Sequence, residues 1–196
     1  MVVNNALVAY FADPQAVIRT ENIGENTTIW QFSVVLAGAA IGHNTNICSH
    51  CFIENRVVVG NNVTIKCGVY LWDGMTVEDH VFIGPNVTFT NDCRPRSKRY
   101  PDSFEPIRIC EGASIGANAT VLGGVTIHRY AMVGMGSVVN KDIAAHTLWY
   151  GNPARLKGYV CFCGDKLDES LYCTPCGQGF EKEENGLRVI TPLNQT

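Results

Sequence analysis

Every sixth residue from Val17 is apolar: Val17, Ile23, Ile29, Val35, Ile41, Ile47, Ile53, Val59, Ile65, Leu71, Val77, Ile83 and Phe89. The beat lapses there and resumes at Ile109, Ile115, Val121, Ile127, Val133 and Val139. Four residues after most of these positions stands a small or β-branched side chain: Thr27, Ser33, Ala39, Thr45, Val57, Val63, Ala113, Ala119, Val125 and Ser137. A period of six fits neither the 3.6-residue helix nor the heptad. It is a multiple of two, so it predicts short strands, each with one large and one small inward residue. A longer period lies above it. Ile23-Gly24, Ile41-Gly42 and Val59-Gly60 repeat every 18 residues, as do Ile115-Gly116 and Val133-Gly134. Three hexads per coil predict a prism of three strands and three corners, with Gly and Asn supplying backbone freedom at the corners. Nineteen hexads give about six coils, a stack on the order of 30 Å long at ordinary strand spacing. A β-sandwich does not keep a strict six-residue beat.

The pattern [LIV]-[GA]-x-x-[STAV]-x resembles the hexapeptide-repeat acyltransferases, over roughly residues 8 to 158. That resemblance implies an all-β fold, a left-handed parallel β-helix, and a homotrimer; the general crossover rule alone would give the opposite hand. It divides the chain into a lead-in over 1–16, the β-helix over 17–158 and a Cys-rich module over 159–196. Between Phe89 and Ile109 the prism must extrude a loop, Thr90 to Arg108, and loops ejected from a rigid scaffold commonly carry function. Arg94, Arg96, Lys98 and Arg99 crowd into six positions of it. They read either as a solvated basic loop or as a phosphate clamp, for which Arg supplies a bidentate fork.

The run from Gly84 to Ser97, with Leu71-Trp72-Asp73-Gly74 before it, is similar to a subgroup that acetylates the C3 amine of dTDP- or UDP-linked sugars for surface polysaccharides. Cys93 and Arg94 depart from its pattern, where Lys and an aromatic are common. The resemblance implies Asn91 beside the sugar amine and the thioester, and Trp72, Asp73, Glu78, Asn86, Arg94 and Arg96 as sugar-nucleotide contacts. It places acetyl-CoA along the coils after the loop, on Gly116, Ala117, Gly134 and Met135, with Lys141 and Arg155 as candidates for the adenosine phosphates. A neutral amine is already a competent nucleophile, so positioning and oxyanion stabilisation matter more than a general base. Each of these residues also has a plain reading, as loop-turn Asn, corner Gly or surface charge. His128, at a corner where Gly is commoner, reads equally as a sugar ligand or base and as a corner residue.

Composition narrows the alternatives. Charged residues are 17% of the chain, with 19 Gly, which excludes a long solvated helix or an acidic disordered chain. The net charge of −3 speaks against a general nucleic-acid binder. No apolar run spans a membrane, and Met1 to Asp13 lacks the basic-then-apolar start of a secretory signal, so a cytoplasmic, reducing setting is expected. A zinc hydratase on the same kind of prism needs three converging His. His50 and His80 are 30 apart, not a multiple of 18, and do not stack. After Gly158 the beat vanishes. Cys161, Cys163, Cys173 and Cys176 form two close pairs, each followed by Gly, which read as a structural zinc ribbon or knuckle that staples a segment too short for its own core. Reduced cysteines or disulfides are the alternative. Of the other five Cys only Cys51 holds an inward position, and none has a nucleophile's setting. Residues 159–196 carry three basic and six acidic side chains against twelve of each before them, so the tail supplies the whole net charge. Three functions remain: the 3-N-acetyltransferase, an acetyltransferase on another amine or hydroxyl, and a non-enzymatic scaffold with a partner-binding zinc ribbon.

Overall fold

The computed structural model describes residues 10–190, so 1–9 of the lead-in and 191–196 of the tail module lie outside the described residues. Among the described residues there is no helix, hence none long and apolar enough to cross a membrane. The chain coils as a parallel β-helix with three flat faces.

Face A stacks Phe11–Ala12, Thr28–Ile29, Asn46–Ile47, Thr64–Ile65, Phe82–Ile83, Ser114–Ile115, Met132–Val133 and Thr147–Tyr150 in parallel, and ends on antiparallel Arg155–Tyr159. Face B stacks Val17–Ile18, Val34–Val35, Phe52–Ile53 and Tyr70–Leu71, then, across a break in the ladder, Thr88–Phe89, Thr120–Val121 and Val138–Val139. Face C stacks Ala40–Ile41, Val58–Val59, Thr76–Val77, Arg108–Ile109 and Thr126–Ile127, extended by single bridges from Ile23 and Ile143. The eight parallel strands of face A exceed the six coils expected. The extra turns come from segments at both ends that pair like the others without keeping the hexad spacing.

Each hexad sends two residues inward, as the pattern requires. Ile29, Ile47, Ile65, Ile83, Ile115 and Val133 are buried on face A, and the small set Thr27, Ser33, Ala39, Thr45, Ala113, Ala119 and Ser137 is buried too. Thr27 and Ser33 hydroxyls donate to main-chain carbonyls, so no buried side-chain polar atom is left unpaired among the described residues. One expectation fails at the first coil. Val17 is 40% exposed, and Ile18 is the residue that aligns with Val35. The turn after it is one residue shorter, and the buried Thr20 fills the inward place by donating to the Ala39 carbonyl.

Corners, more than faces, fix the stacking. At the corner from face C to face A, Asn26, Asn44, Asn62, His80, Gly112, Tyr130 and His146 all take positive φ. From Asn44 on, each donates its N–H to a carbonyl of the coil before. A second such column, Phe32, His50, Gly68, Asn86, Asn118 and Gly136, lines the corner from A to B. Corners therefore accept His, Phe and Tyr as well as Gly and Asn.

Candidate functional site

The loop leaves the prism at the corner from face B to face C. Thr88–Phe89 precedes it, and Arg108–Ile109 follows it, with Ile107 already buried. Three hydrogen bonds fix its base, two from the wall and one that closes the loop on itself. The Trp72 indole N–H donates to the Phe89 carbonyl at 2.7 Å, across the break in face B. The Gly123 N–H donates to Thr90 Oγ1 at 3.2 Å, and the Glu105 N–H to the Asn91 carbonyl at 3.1 Å. The tip is a tight turn, with Arg96 bridged to Arg99 and Lys98 at positive φ.

Asn91, Asp92, Cys93, Arg94, Pro101, Ser103 and Glu105 wall one hollow of about 390 Å³. Asp92, Arg94, Arg96, Arg99, Tyr100 and Pro101 wall a second beside it. Asn91, Arg94 and Arg96 are thus brought together, on two hollows that share Asp92, Arg94 and Pro101. Glu105 lines the same hollow as Asn91, and nothing in its local sequence distinguishes it, because only loop closure brings it there. Trp72 and Asp73 sit on the same corner, one coil earlier. Asp73 binds the Arg56 N–H through Oδ1 and the Arg56 guanidinium through Oδ2, at 3.2 Å, while its own N–H donates to Glu54. Lys141 lies on this corner too, two coils past Asn91, with Nζ 5.0 Å from the Trp149 ring centre.

The remaining candidates lie elsewhere. Glu78 is on the corner from C to A, where Arg108 donates to Oε1 and the Glu111 N–H to Oε2. Burial raises its pKa, but the Arg108 hydrogen bonds and charge, with the Glu111 N–H, outweigh that and hold the carboxyl below its usual range. Asn86, in the column from A to B, has its N–H taken by the Cys67 carbonyl and its Oδ1 lying over Gly68. Gly116, Ala117, Gly134 and Met135 follow on that same corner, and Met135 is 80% exposed. Arg155 is adjacent, paired in register with Tyr150. His128 is half-buried on the corner from C to A, its N–H bonded to the Ile143 carbonyl. His50, His80 and His146 are corner residues of positive φ.

The four tail thiols do come together: all four Sγ atoms lie within 4.8 Å of one another, with Cys163 and Cys173 at 3.7 Å. Cys51 is buried as expected, and burial pushes its thiol up to about 12. Cys110, expected off the core, is also buried, where its corner tucks behind Glu78 and Arg108.

The family signature described as bacterial transferase hexapeptide (six repeats) matches residues 22–55 and 106–141, on either side of the loop. A relative from Aneurinibacillus thermoaerophilus, a dTDP-3-amino-3,6-dideoxy-alpha-D-galactopyranose 3-N-acetyltransferase, is 55% identical over 174 residues, covering 87% of this chain and 90% of its own. The chain belongs to the hexapeptide-repeat acyltransferases. As a member of that family it is a transferase. A galactoside O-acetyltransferase from Lactococcus lactis is 32% identical over 128 residues, 58% of this chain and 62% of its own. A hexapeptide-repeat acetyltransferase from Vibrio cholerae, solved with acetyl-coenzyme A, superposes with a TM-score of 0.56 at 31% identity, over 63% of this chain and 72% of that one. A UDP-N-acetylglucosamine acyltransferase from Bacteroides fragilis shares the fold at 20% identity, with a TM-score of 0.64 over 76% of this chain and 61% of its own.

Proposed function

We propose that this acyltransferase moves the acetyl group of acetyl-CoA onto the C3 amine of a dTDP- or UDP-linked amino sugar made for a surface polysaccharide. The observation that carries the reading is the 55% identity, across nearly the whole chain, to an enzyme of that activity. The loop base supports it, because it gathers Asn91, Arg94 and Glu105 around one hollow. The neutral amine attacks the thioester carbonyl carbon, and a C–N bond forms. The tetrahedral oxyanion collapses, the C–S bond breaks, and CoA leaves as the thiolate, which takes up the proton the nitrogen sheds. Asn91 Oδ1 orients the amine, and Arg94 and Arg96 bind the diphosphate.

Asn91 and the strip from Gly116 to Met135 occupy different corners of one chain. The site is complete only when a neighbouring copy sets its corner against this one, which supports a closed homotrimer. Sedimentation equilibrium is expected to give three times the chain mass; a monomer that turns over would remove the shared-site arrangement. Nine free cysteines fit a reducing, cytoplasmic setting, and the four tail thiols fit a structural zinc site.

The test is thiol release from acetyl-CoA with a panel of dTDP- and UDP-linked amino sugars. Turnover is expected with a 3-amino-3,6-dideoxyhexose, and Asn91→Ala is expected to lower kcat/KM about 10²-fold. No CoA release with any panel member would defeat the reading. Release with hydroxyl acceptors alone would leave the cofactor and replace the substrate.

A further inference from the structure

The C-terminal module has almost no core of its own. Its buried cluster is Cys161, Cys173, Phe180 and Leu187, two of the four being thiols, with Tyr159, Leu167, Leu171 and Val189 partly buried against it. Three short antiparallel strands, Tyr172–Cys173, Gln178–Glu183 and Gly186–Val189, surround them. So small a segment needs a staple to hold its shape.

The four thiols are arranged as a ligand set. A tetrahedral tetrathiolate zinc has Zn–S distances of about 2.3 Å, which puts its sulfurs about 3.8 Å apart. Cys163 and Cys173 already stand at 3.7 Å, and all four lie within 4.8 Å of one another, none of them in a disulfide. The Cys161-Phe162-Cys163-Gly164 turn is closed by the Gly164 N–H on the Cys161 carbonyl, and Gly164 holds φ +95°. The turn is closed further by the Cys161 N–H, which donates to the Asp165 carbonyl at 2.8 Å.

The module is also fastened to the last coils of the β-helix. Ala145 donates to the Asn185 carbonyl and accepts from the Leu187 N–H, while Val160 donates to the His146 carbonyl. The His146 ring lies between Tyr130, stacked at 5.1 Å, and Phe180 at 5.0 Å, and Phe162 meets Tyr130 edge-on at 6.5 Å. Phe162 stands between two of the thiols, so the ligand turn itself reaches the prism.

We infer that Cys161, Cys163, Cys173 and Cys176 bind one Zn²⁺, and that this ion is the clasp that holds the module against the end of the β-helix. The second half rests on the reading of the four thiols as a zinc site; neither half depends on the acceptor sugar. With the ion in place the Phe162 turn is rigid and the Ala145 hydrogen bonds to Asn185 and Leu187 are held closed. Without it the module keeps only the small apolar cluster around Phe180 and Leu187 and opens from the last coil.

The full-length protein, purified under reducing conditions without chelator, is assayed for metal by elemental analysis. One zinc per chain is expected, released in step with four thiols on titration with an organomercurial. Growth with Co²⁺ is expected to give the thiolate charge-transfer band and visible d–d bands of a tetrahedral site. Cys163→Ser with Cys176→Ser changes the two exposed ligands and is expected to lower zinc content at least tenfold. Hydrogen exchange at Ala145, Val160 and Leu187 is then expected to speed up at least tenfold, while the Ile47 and Ile65 amides keep their protection. Zinc-free protein with nine free thiols, or a disulfide within the four, overturns the site. Stoichiometric zinc whose removal leaves exchange at Ala145 and Val160 unchanged overturns the clasp and leaves the site standing.

Discussion

Glycines at the strip proposed for acetyl-CoA have two demands on them, and the geometry separates these. A Cβ on Gly116 would stand 2.5 Å from the Met135 nitrogen, and one on Gly134 2.7 Å from the Tyr150 Cβ, so neither neighbour can give way. Gly136, two residues on, has open space around a Cβ but holds φ +67°. Gly116→Ala is therefore expected to cost about 1–3 kcal/mol through overpacking, and Gly136→Ala about 1–2 kcal/mol through backbone strain alone. Denaturant midpoints measure both, and equal losses would show that coil-to-coil contact is not what selects Gly116. His146 carries a pH dependence. Burial comes first in lowering its pKa below the ordinary 6.5, Arg129 adds to this, and the Val160 carbonyl and Glu183 oppose it. The unfolded chain then binds the proton more readily than the folded one. Stability from the neutral ring is full above about pH 6.5 and falls as pH drops through that value toward the folded pKa. Thermal unfolding at pH 8, 6.5 and 5 is expected to show this fall, and His146→Asn, which tolerates the positive φ, is expected to flatten it.

At the scale of elements, the two-residue strands are too short to hold themselves. They are held by their place in a stack and by the corner columns. The weak place is the break in face B, where Tyr70–Leu71 does not pair with Thr88–Phe89 and the Trp72 indole spans the gap to the Phe89 carbonyl. Trp72→Phe keeps the ring and removes the donor. It is expected to cost about 1–3 kcal/mol for the carbonyl left unpaired and to loosen the base of the loop. Melting temperature and the KM for the sugar nucleotide check this: a raised KM with unchanged melting would mean that the indole serves the ligand and not the break. The hexad beat made the strands and the loop's place legible, because burial writes itself into side-chain choice. The register of the first coil was not legible, since Val17 and Ile18 are equally apolar and only pairing with Val35 chooses between them.

For the whole molecule, the hexad pattern and the similarity of residues 84–97 to one subgroup were enough to specify a β-helix, an ejected loop and an acetyl-transfer chemistry, because a solenoid's core is local in sequence and repeats. The candidate residues were legible as types, but their distribution over three corners was not. Glu105 joins Asn91 only through loop closure, Glu78 is committed to Arg108, and Asn86 lies over Gly68. The cysteine spacing suggested a metal, while the tertiary structure decided that all four sulfurs converge and that the module carrying them is pinned to the last coil. The reason is the same in each case. Inward positions recur at fixed spacing along the chain and are readable one hexad at a time, whereas contacts between coils, across a loop, or between prism and tail join residues whose separation follows no period.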